Sequence, residues 1–300
     1  MPFTHAQFLI GIVLPAALIG LDILLMWSPR IGGYARWSSA PLVAIGFGIA
    51  YWIFEPKLGW PPNANVIYLL FYFAAALGIL GLIDAIFKPP AFLRLMVLML
   101  LWPLAVQLLL GPLNVSAMDG LRGQLWITGS MLIAAVWALT FEYLSERSPG
   151  ITAPLLLAAM AAASSILLAM GWHIQSSGAL AGALAAMSVA ALVVGGWSSR
   201  ISFSHGSAQT IVLLLLLVLV HGYFYTGDTL TNWQQLWIGL LLVSPLLVFI
   251  GDLAVMRRQR PIWRLAARVI PVLIVLSIVC AATIRDYVHA EQAQATMQDE

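Results

Sequence analysis

The chain has 300 residues, of which 62% are hydrophobic and only 9% are charged, and its formal net charge at pH 7 is +2. Soluble globular proteins carry about 25% charged residues, so this composition excludes a soluble fold and predicts an integral membrane protein. Nucleic-acid binding is disfavoured, because the 14 Lys and Arg residues are too few and too dispersed to follow a phosphate backbone. The single cysteine, Cys280, excludes an intrachain disulfide and a metal centre built from several cysteines.

Apolar segments long enough to cross a bilayer recur along the chain. A hydrocarbon core about 30 Å thick requires about 20 apolar residues in a helix. Ten segments meet this condition: 7–27, 38–54, 64–87, 92–111, 124–145, 151–171, 178–197, 208–226, 233–255 and 263–283. Continuous apolar runs such as Ile211–Val220 lack the alternation of a transmembrane β-strand. We therefore predict an all-helical polytopic bundle, with one transmembrane domain over residues 1–283 and a short polar tail over 284–300.

Basic residues concentrate at alternate ends of the predicted spans. One set of ends, here called the basic end, carries Arg30, Arg36, Lys88, Arg94, Arg147, Arg200, Arg257, Arg258, Arg260, Arg264 and Arg268. The opposite ends carry Lys57, Arg122 and Arg285. Loops rich in Lys and Arg stay in the cytoplasm. We therefore expect the basic end to be cytoplasmic, with both termini and the tail outside, in a bacterial plasma membrane.

Four acidic residues lie inside predicted spans, close to the basic end. They are Asp22, Asp84, Glu142 and Asp252. Ionisable side chains within a membrane are costly unless they are paired or hydrated, so they are candidates for function. One interpretation is a shared vestibule that binds a cation, a proton or a cationic substrate.

The second interpretation is that these acids neutralise basic residues next to them. Three acids precede a basic residue by four or five positions: Asp84 before Lys88, Glu142 before Arg147, and Asp252 before Arg257. Under this interpretation they lie at the membrane interface and carry no function.

Asp22 differs from the other acids, because the next basic residue is Arg30 and an apolar run separates the two. We predict that Asp22 is buried among helices beside a polar partner, with Asp252 as its companion in a candidate transport or ion site. Asp84 and Glu142 are expected to be exposed at the interface.

Prolines at matched places suggest a relation between the two halves of the chain. Pro103 in the fourth span and Pro245 in the ninth can each remove a backbone hydrogen bond and open a helix to a ligand. Ten spans divide into halves over 1–147 and 148–283, and an odd number of helices in each half requires the second to be inverted. The sequence therefore permits a five-plus-five inverted repeat, and Pro103 and Pro245 join the candidate site.

Small residues dominate the sixth and seventh spans. Gly178 and Gly182 form a GxxxG pattern in the seventh span, which allows two helix backbones to approach closely. The partner helix lies either within the same chain, which we favour, or in another membrane subunit, for which the tail over 284–300 offers a second docking point.

The preferred interpretation is a transporter or permease for a small solute or a lipid precursor, with membrane lipids as its surroundings. The alternative is a non-catalytic subunit or assembly factor of a larger membrane complex. An intramembrane enzyme is disfavoured, because GxSxG and HExxH are absent from the sequence. No cofactor, catalytic residue or metal site is predicted.

Overall fold

The computed structural model describes residues 4–28, 32–55, 69–110, 120–147, 151–195, 206–226, 232–253 and 261–298. All regular structure in these ranges is helical, and ten helices are long and apolar enough to cross a membrane. The prediction of an all-helical bundle with ten spans is confirmed.

The observed helices follow the predicted spans closely. We number them α1 (His5–Met26), α2 (Gly32–Phe54), α3 (Leu69–Phe87), α4 (Ala91–Leu110), α5 (Gly120–Arg147), α6 (Thr152–Gly171), α7 (Gln175–Gly195), α8 (Ser207–Thr226), α9 (Asn232–Val243, continued by Ser244–Asp252) and α10 (Pro261–Gln298). The second span is longer than predicted, because helical structure begins at Gly32. The tail continues α10 as a helix through Gln298 instead of forming a separate element.

Helix α8 occupies the centre of the bundle. It touches each of the helices from α2 to α7, and the whole run from Ile211 to Leu219 is buried. A helix that is apolar on every side is stable only when apolar surroundings enclose it completely. Around this centre, α1 packs on α2 and α7, whereas α9 and α10 pack together and α10 also covers α6.

A glycine pair lets α8 begin directly against α3. Gly206 has a φ of +85° and precedes the first residue of α8. A Cβ atom at Gly206 would lie 2.7 Å from the Cα atom of Gly81 on α3. Only glycine combines this backbone angle with this approach. The contact brings the first turn of α8 close to the last turn of α3, which contains Asp84.

The small residues of α6 and α7 pack against one another within the chain. The Ser165 hydroxyl on α6 donates a hydrogen bond of 2.7 Å to the Gly178 carbonyl on α7. A Cβ atom at Gly178 would lie 2.7 Å from the Cβ atom of Ala169, and one at Gly182 would lie 3.4 Å from the Ser165 hydroxyl. These glycines therefore serve an internal helix pair, and contact with other subunits stays a prediction.

The two matched prolines have different local surroundings. Pro103 lies inside α4, which remains α-helical on both sides of it. Pro245 lies at the start of a 3₁₀ segment, Ser244–Asp252, that forms the second half of α9. A relation between the halves 1–147 and 148–283 stays a prediction.

Candidate functional site

Asp22 lies near the end of α1 and is only 2% exposed. Two consecutive serines of α2 donate hydrogen bonds to its two carboxylate oxygens. The Ser38 hydroxyl lies 2.6 Å from Oδ1, and the Ser39 hydroxyl lies 2.6 Å from Oδ2. The predicted burial of Asp22 beside a polar partner is confirmed. Arg30, the nearest basic residue along the chain, lies outside the described residues.

Helix α1 also packs against α7. A Cβ atom at Gly20, which lies two residues before Asp22 and so on the opposite face of α1, would touch the side chains of Ala190 and Val194 on α7. No residue of α7 carries a charge or a titratable side chain. Within the described residues, the carboxyl group is held by two neutral hydroxyls.

A second polar cluster joins α3, α4, α5 and α8. Arg94 on α4 forms ion pairs with Asp84 on α3, at 3.3 Å between Nε and Oδ1, and with Glu142 on α5. The Gln209 side-chain amide on α8 donates a hydrogen bond of 3.0 Å to the Glu142 carboxylate. This cluster, Asp84–Arg94–Glu142–Gln209, is called the Arg94 cluster below.

The expected interface exposure of Asp84 and Glu142 is wrong. Asp84 is 8% exposed, and the Glu142 side chain is 12% exposed. The physical reason lies in the connection between α3 and α4, where Lys88 has a φ of +45° and is followed by two prolines. This tight reversal sets the first turn of α4 beside the last turn of α3, so that Arg94 covers Asp84 while Lys88 points outward.

A cavity of about 500 Å³ extends from the Arg94 cluster between α3, α4, α5 and α8. Its walls are almost entirely apolar and include Phe73, Leu77, Leu98, Trp102, Leu213 and Leu217. Other wall residues, such as Phe87 and Leu104, are exposed on the outer surface of the bundle, so the cavity opens sideways. Its volume lies within the range of about 300–1,000 Å³ that small-molecule sites occupy. The cavity matches a molecule with an apolar body and one polar end.

Asp252 belongs to a third cluster, at the end of α9. Arg268 and Arg264 of α10 approach its Oδ1 atom at 2.6 Å and 2.8 Å, and the Tyr143 hydroxyl of α5 donates to Oδ2 at 2.9 Å. Arg257, the partner suggested by the sequence, lies outside the described residues.

The expected pairing of Asp22 with Asp252 is not found. The two carboxylates bind different partners, because α1 packs on α2 and α7 whereas the end of α9 packs on α10. Arg264 and Arg268 are four residues apart on one face of α10, which directs both guanidinium groups to the same carboxylate. A role for Asp22, Asp252, Pro103 or Pro245 in transport stays a prediction.

The sequence did not predict four of the residues that form hydrogen bonds with the acids: Ser38, Ser39, Tyr143 and Gln209. Each is a polar side chain near the basic end of its span, at the same depth as the acids. That shared depth is the signal that could have identified them, because the ends of antiparallel helices meet in one layer.

The ranges that the structure describes contain no group of three or more His, Cys, Asp or Glu side chains that could hold a metal ion. Comparisons with protein-family models, with curated proteins and with solved structures found no match for this chain. A function therefore has to follow from the geometry and charge of the clusters themselves.

Proposed function

We propose that the protein is a transporter or permease for a small amphipathic solute or a lipid precursor, and that the cavity beside the Arg94 cluster holds its substrate. The observation that carries this proposal is the cavity of about 500 Å³ with apolar walls and one charged end. Charged side chains within a membrane-spanning bundle are typical of substrate pathways.

The chemistry of the cavity favours a molecule with both donor and acceptor groups at one end. Asp84 and Glu142 accept hydrogen bonds, Arg94 only donates them, and the Gln209 amide does both. The apolar body of such a molecule would contact α3, α4 and α8, and the opening beside Phe87 would admit it from the hydrocarbon.

The proposal is tested by transport into proteoliposomes that contain the purified protein. The probes are radiolabelled amphiphiles of similar size with ammonium, zwitterionic or carboxylate head groups. We expect at least one probe to enter faster than into protein-free vesicles. The Glu142→Gln variant should transport it at least tenfold more slowly, because it removes the charge but keeps the size of the side chain.

The matched control is Glu291→Gln, the same change at an exposed position of α10 far along the chain from the cavity. It should leave the rate unchanged. The proposal fails if no probe is transported, or if Glu142→Gln and the unmodified protein transport the probe equally well. Purification of the protein only as part of a stable complex would instead favour the non-catalytic subunit.

A further inference from the structure

The cavity beside the Arg94 cluster is about as deep as one leaflet of a bilayer. Asp84 and Arg94 lie at its charged end, and its walls reach Phe73 on α3 and Ala105 on α4. Each of these two wall residues is eleven positions from the charged residue of its own helix, which corresponds to about 16 Å at a rise of 1.5 Å per residue. Half of a hydrocarbon core about 30 Å thick is about 15 Å. The cavity therefore has the depth of one leaflet, with its charged end near the ends of the spans.

The cavity opens between α3 and α4. Helix α4 packs more closely on α5 than on α3, although a short connection joins it to α3. The wall residues Leu101 and Leu104 are 41% and 51% exposed, and both lie inside the fourth membrane span. Exposed apolar side chains at this depth face the hydrocarbon of the membrane. The opening therefore leads to the acyl chains of the bilayer.

An acyl chain is the occupant that suits the apolar walls. Water in such a cavity is unfavourable, because apolar surface is more stable when it is removed from water. An empty space is also unfavourable, because the atoms that line it lose their dispersion contacts. A lipid chain avoids both costs, and it is the group that the bilayer offers at the opening.

The Arg94 cluster suits the head group of the same lipid. Arg94 donates hydrogen bonds, whereas the carboxylates of Asp84 and Glu142 accept them. A phosphoethanolamine head group has a phosphate that accepts hydrogen bonds and an ammonium that donates them. When the chain lies in the cavity, this head group lies near the ends of the spans, at the level of the head groups of the surrounding bilayer.

We infer that the substrate is a membrane lipid, which enters from the leaflet at the basic end through the opening between α3 and α4. Its acyl chain occupies the apolar part of the cavity, and its head group binds the Arg94 cluster. The inference narrows the substrate from amphipathic molecules in general to lipids of the bilayer, and so it rests on the proposed function.

Photolabelling tests the inference without a transport measurement. The purified protein is reconstituted in liposomes with a phosphatidylethanolamine that carries a diazirine at the end of one acyl chain, and labelled residues are located by mass spectrometry after irradiation. Leu213 and Leu217 of the central helix α8 line the cavity and are 7% and 1% exposed, so lipid on the outer surface of the bundle does not reach them. We expect label on at least one of these residues, and also on the exposed Ile274 of α10.

Two variants that fill the cavity are Ala76→Trp on α3 and Leu98→Trp on α4. They should reduce the label on Leu213 and Leu217 at least fivefold and leave the label on Ile274 unchanged. The matched control is Ala75→Trp, the same change at the neighbouring exposed position, which lines a different groove between α2 and α3. This control should not reduce the label on α8.

The inference is overturned if Ile274 is labelled but Leu213 and Leu217 are not, which is also the result expected if a helix of another subunit fills the cavity. It is equally overturned if neither cavity-filling variant reduces the label on α8. Failure of the proposed function is a separate result, because the unmodified protein would then be labelled on α8 but would transport no probe. Transport of a probe by a protein that is not labelled on α8 would overturn the lipid inference alone.

Discussion

The four acidic side chains inside this bundle are stabilised in three different ways. Asp22 is held by two hydroxyls, Asp84 and Glu142 share one guanidinium, and Asp252 binds two. The free energy of burying a charge depends on its partners more than on its depth. Loss of each acid should therefore have a different consequence, and the Asp252 cluster should contribute most to stability.

Asp252→Asn is expected to destabilise the fold. Arg268 is 5% exposed. Without the Asp252 carboxylate, its positive charge stays buried next to the guanidinium group of the more exposed Arg264. Breaking a buried pair in this way costs about 3–5 kcal/mol, which should appear as a clear fall in the thermal unfolding midpoint in detergent.

The comparison variant is Asp286→Asn, which removes the acid of an exposed ion pair with Arg285. Exposed pairs contribute about 1 kcal/mol or less, so its midpoint should barely change. Equal shifts of the thermal unfolding midpoint in the two variants would show that the ion pairs of Asp252 do not stabilise the packing of α9 on α10.

The depth of the acids was predictable from the sequence, but their partners were not. Depth follows from position along an apolar span. Partner choice depends on which helices are neighbours and on how each connection turns, as the reversal after Lys88 shows for Asp84 and Arg94. Nearness along the chain suggested Lys88 for Asp84, and the tertiary arrangement supplied Arg94.

At the level of helices, hydropathy predicts where spans lie but not their internal hydrogen bonding. The π-helical turns Leu9–Val13 and Leu167–Gly171 and the 3₁₀ segment Ser244–Asp252 lie inside predicted spans. A count of apolar residues has no information on whether an amide bonds three, four or five residues back. Pro245, which lacks an N–H group, is the only part of the 3₁₀ segment that the sequence could signal.

Close packing of α6 and α7 gives a second stability prediction. Gly178→Ala places a methyl group 2.7 Å from the Ala169 side chain and 3.0 Å from its backbone nitrogen. The helices must separate, and overpacking of this kind costs about 1–3 kcal/mol. We expect a lower thermal midpoint in detergent.

Gly129→Ala is the matched change at a helical glycine whose added methyl group meets no atom within 4 Å. It should be neutral or slightly stabilising, because alanine favours a helix by about 1 kcal/mol over glycine. A midpoint for Gly178→Ala as high as that for Gly129→Ala would contradict the close internal contact.

For the whole molecule, the distribution of arginine and lysine predicts an orientation that can be measured. Cys280 is the only cysteine. A Cys280→Ala variant therefore has no cysteine, and one new cysteine can be introduced into it as the only labelling site. In intact cells, a membrane-impermeant maleimide should label Gln298→Cys at the end of α10. It should label Lys88→Cys, in the connection between α3 and α4, only after the membrane is opened. The reverse pattern would invert the orientation and place both termini in the cytoplasm.

Helix α10 is longer than any bilayer requires. Its 38 residues span about 57 Å at 1.5 Å per residue, against a hydrocarbon core about 30 Å thick. The helix is continuous from Pro261 to Gln298, so it has more residues than one crossing of the hydrocarbon core needs. A helical fusion partner joined in phase after Gln298 would continue α10 as one helix and would be held at a fixed angle to it. In electron cryo-microscopy images, this partner would be a landmark outside the detergent micelle that helps to orient the particles.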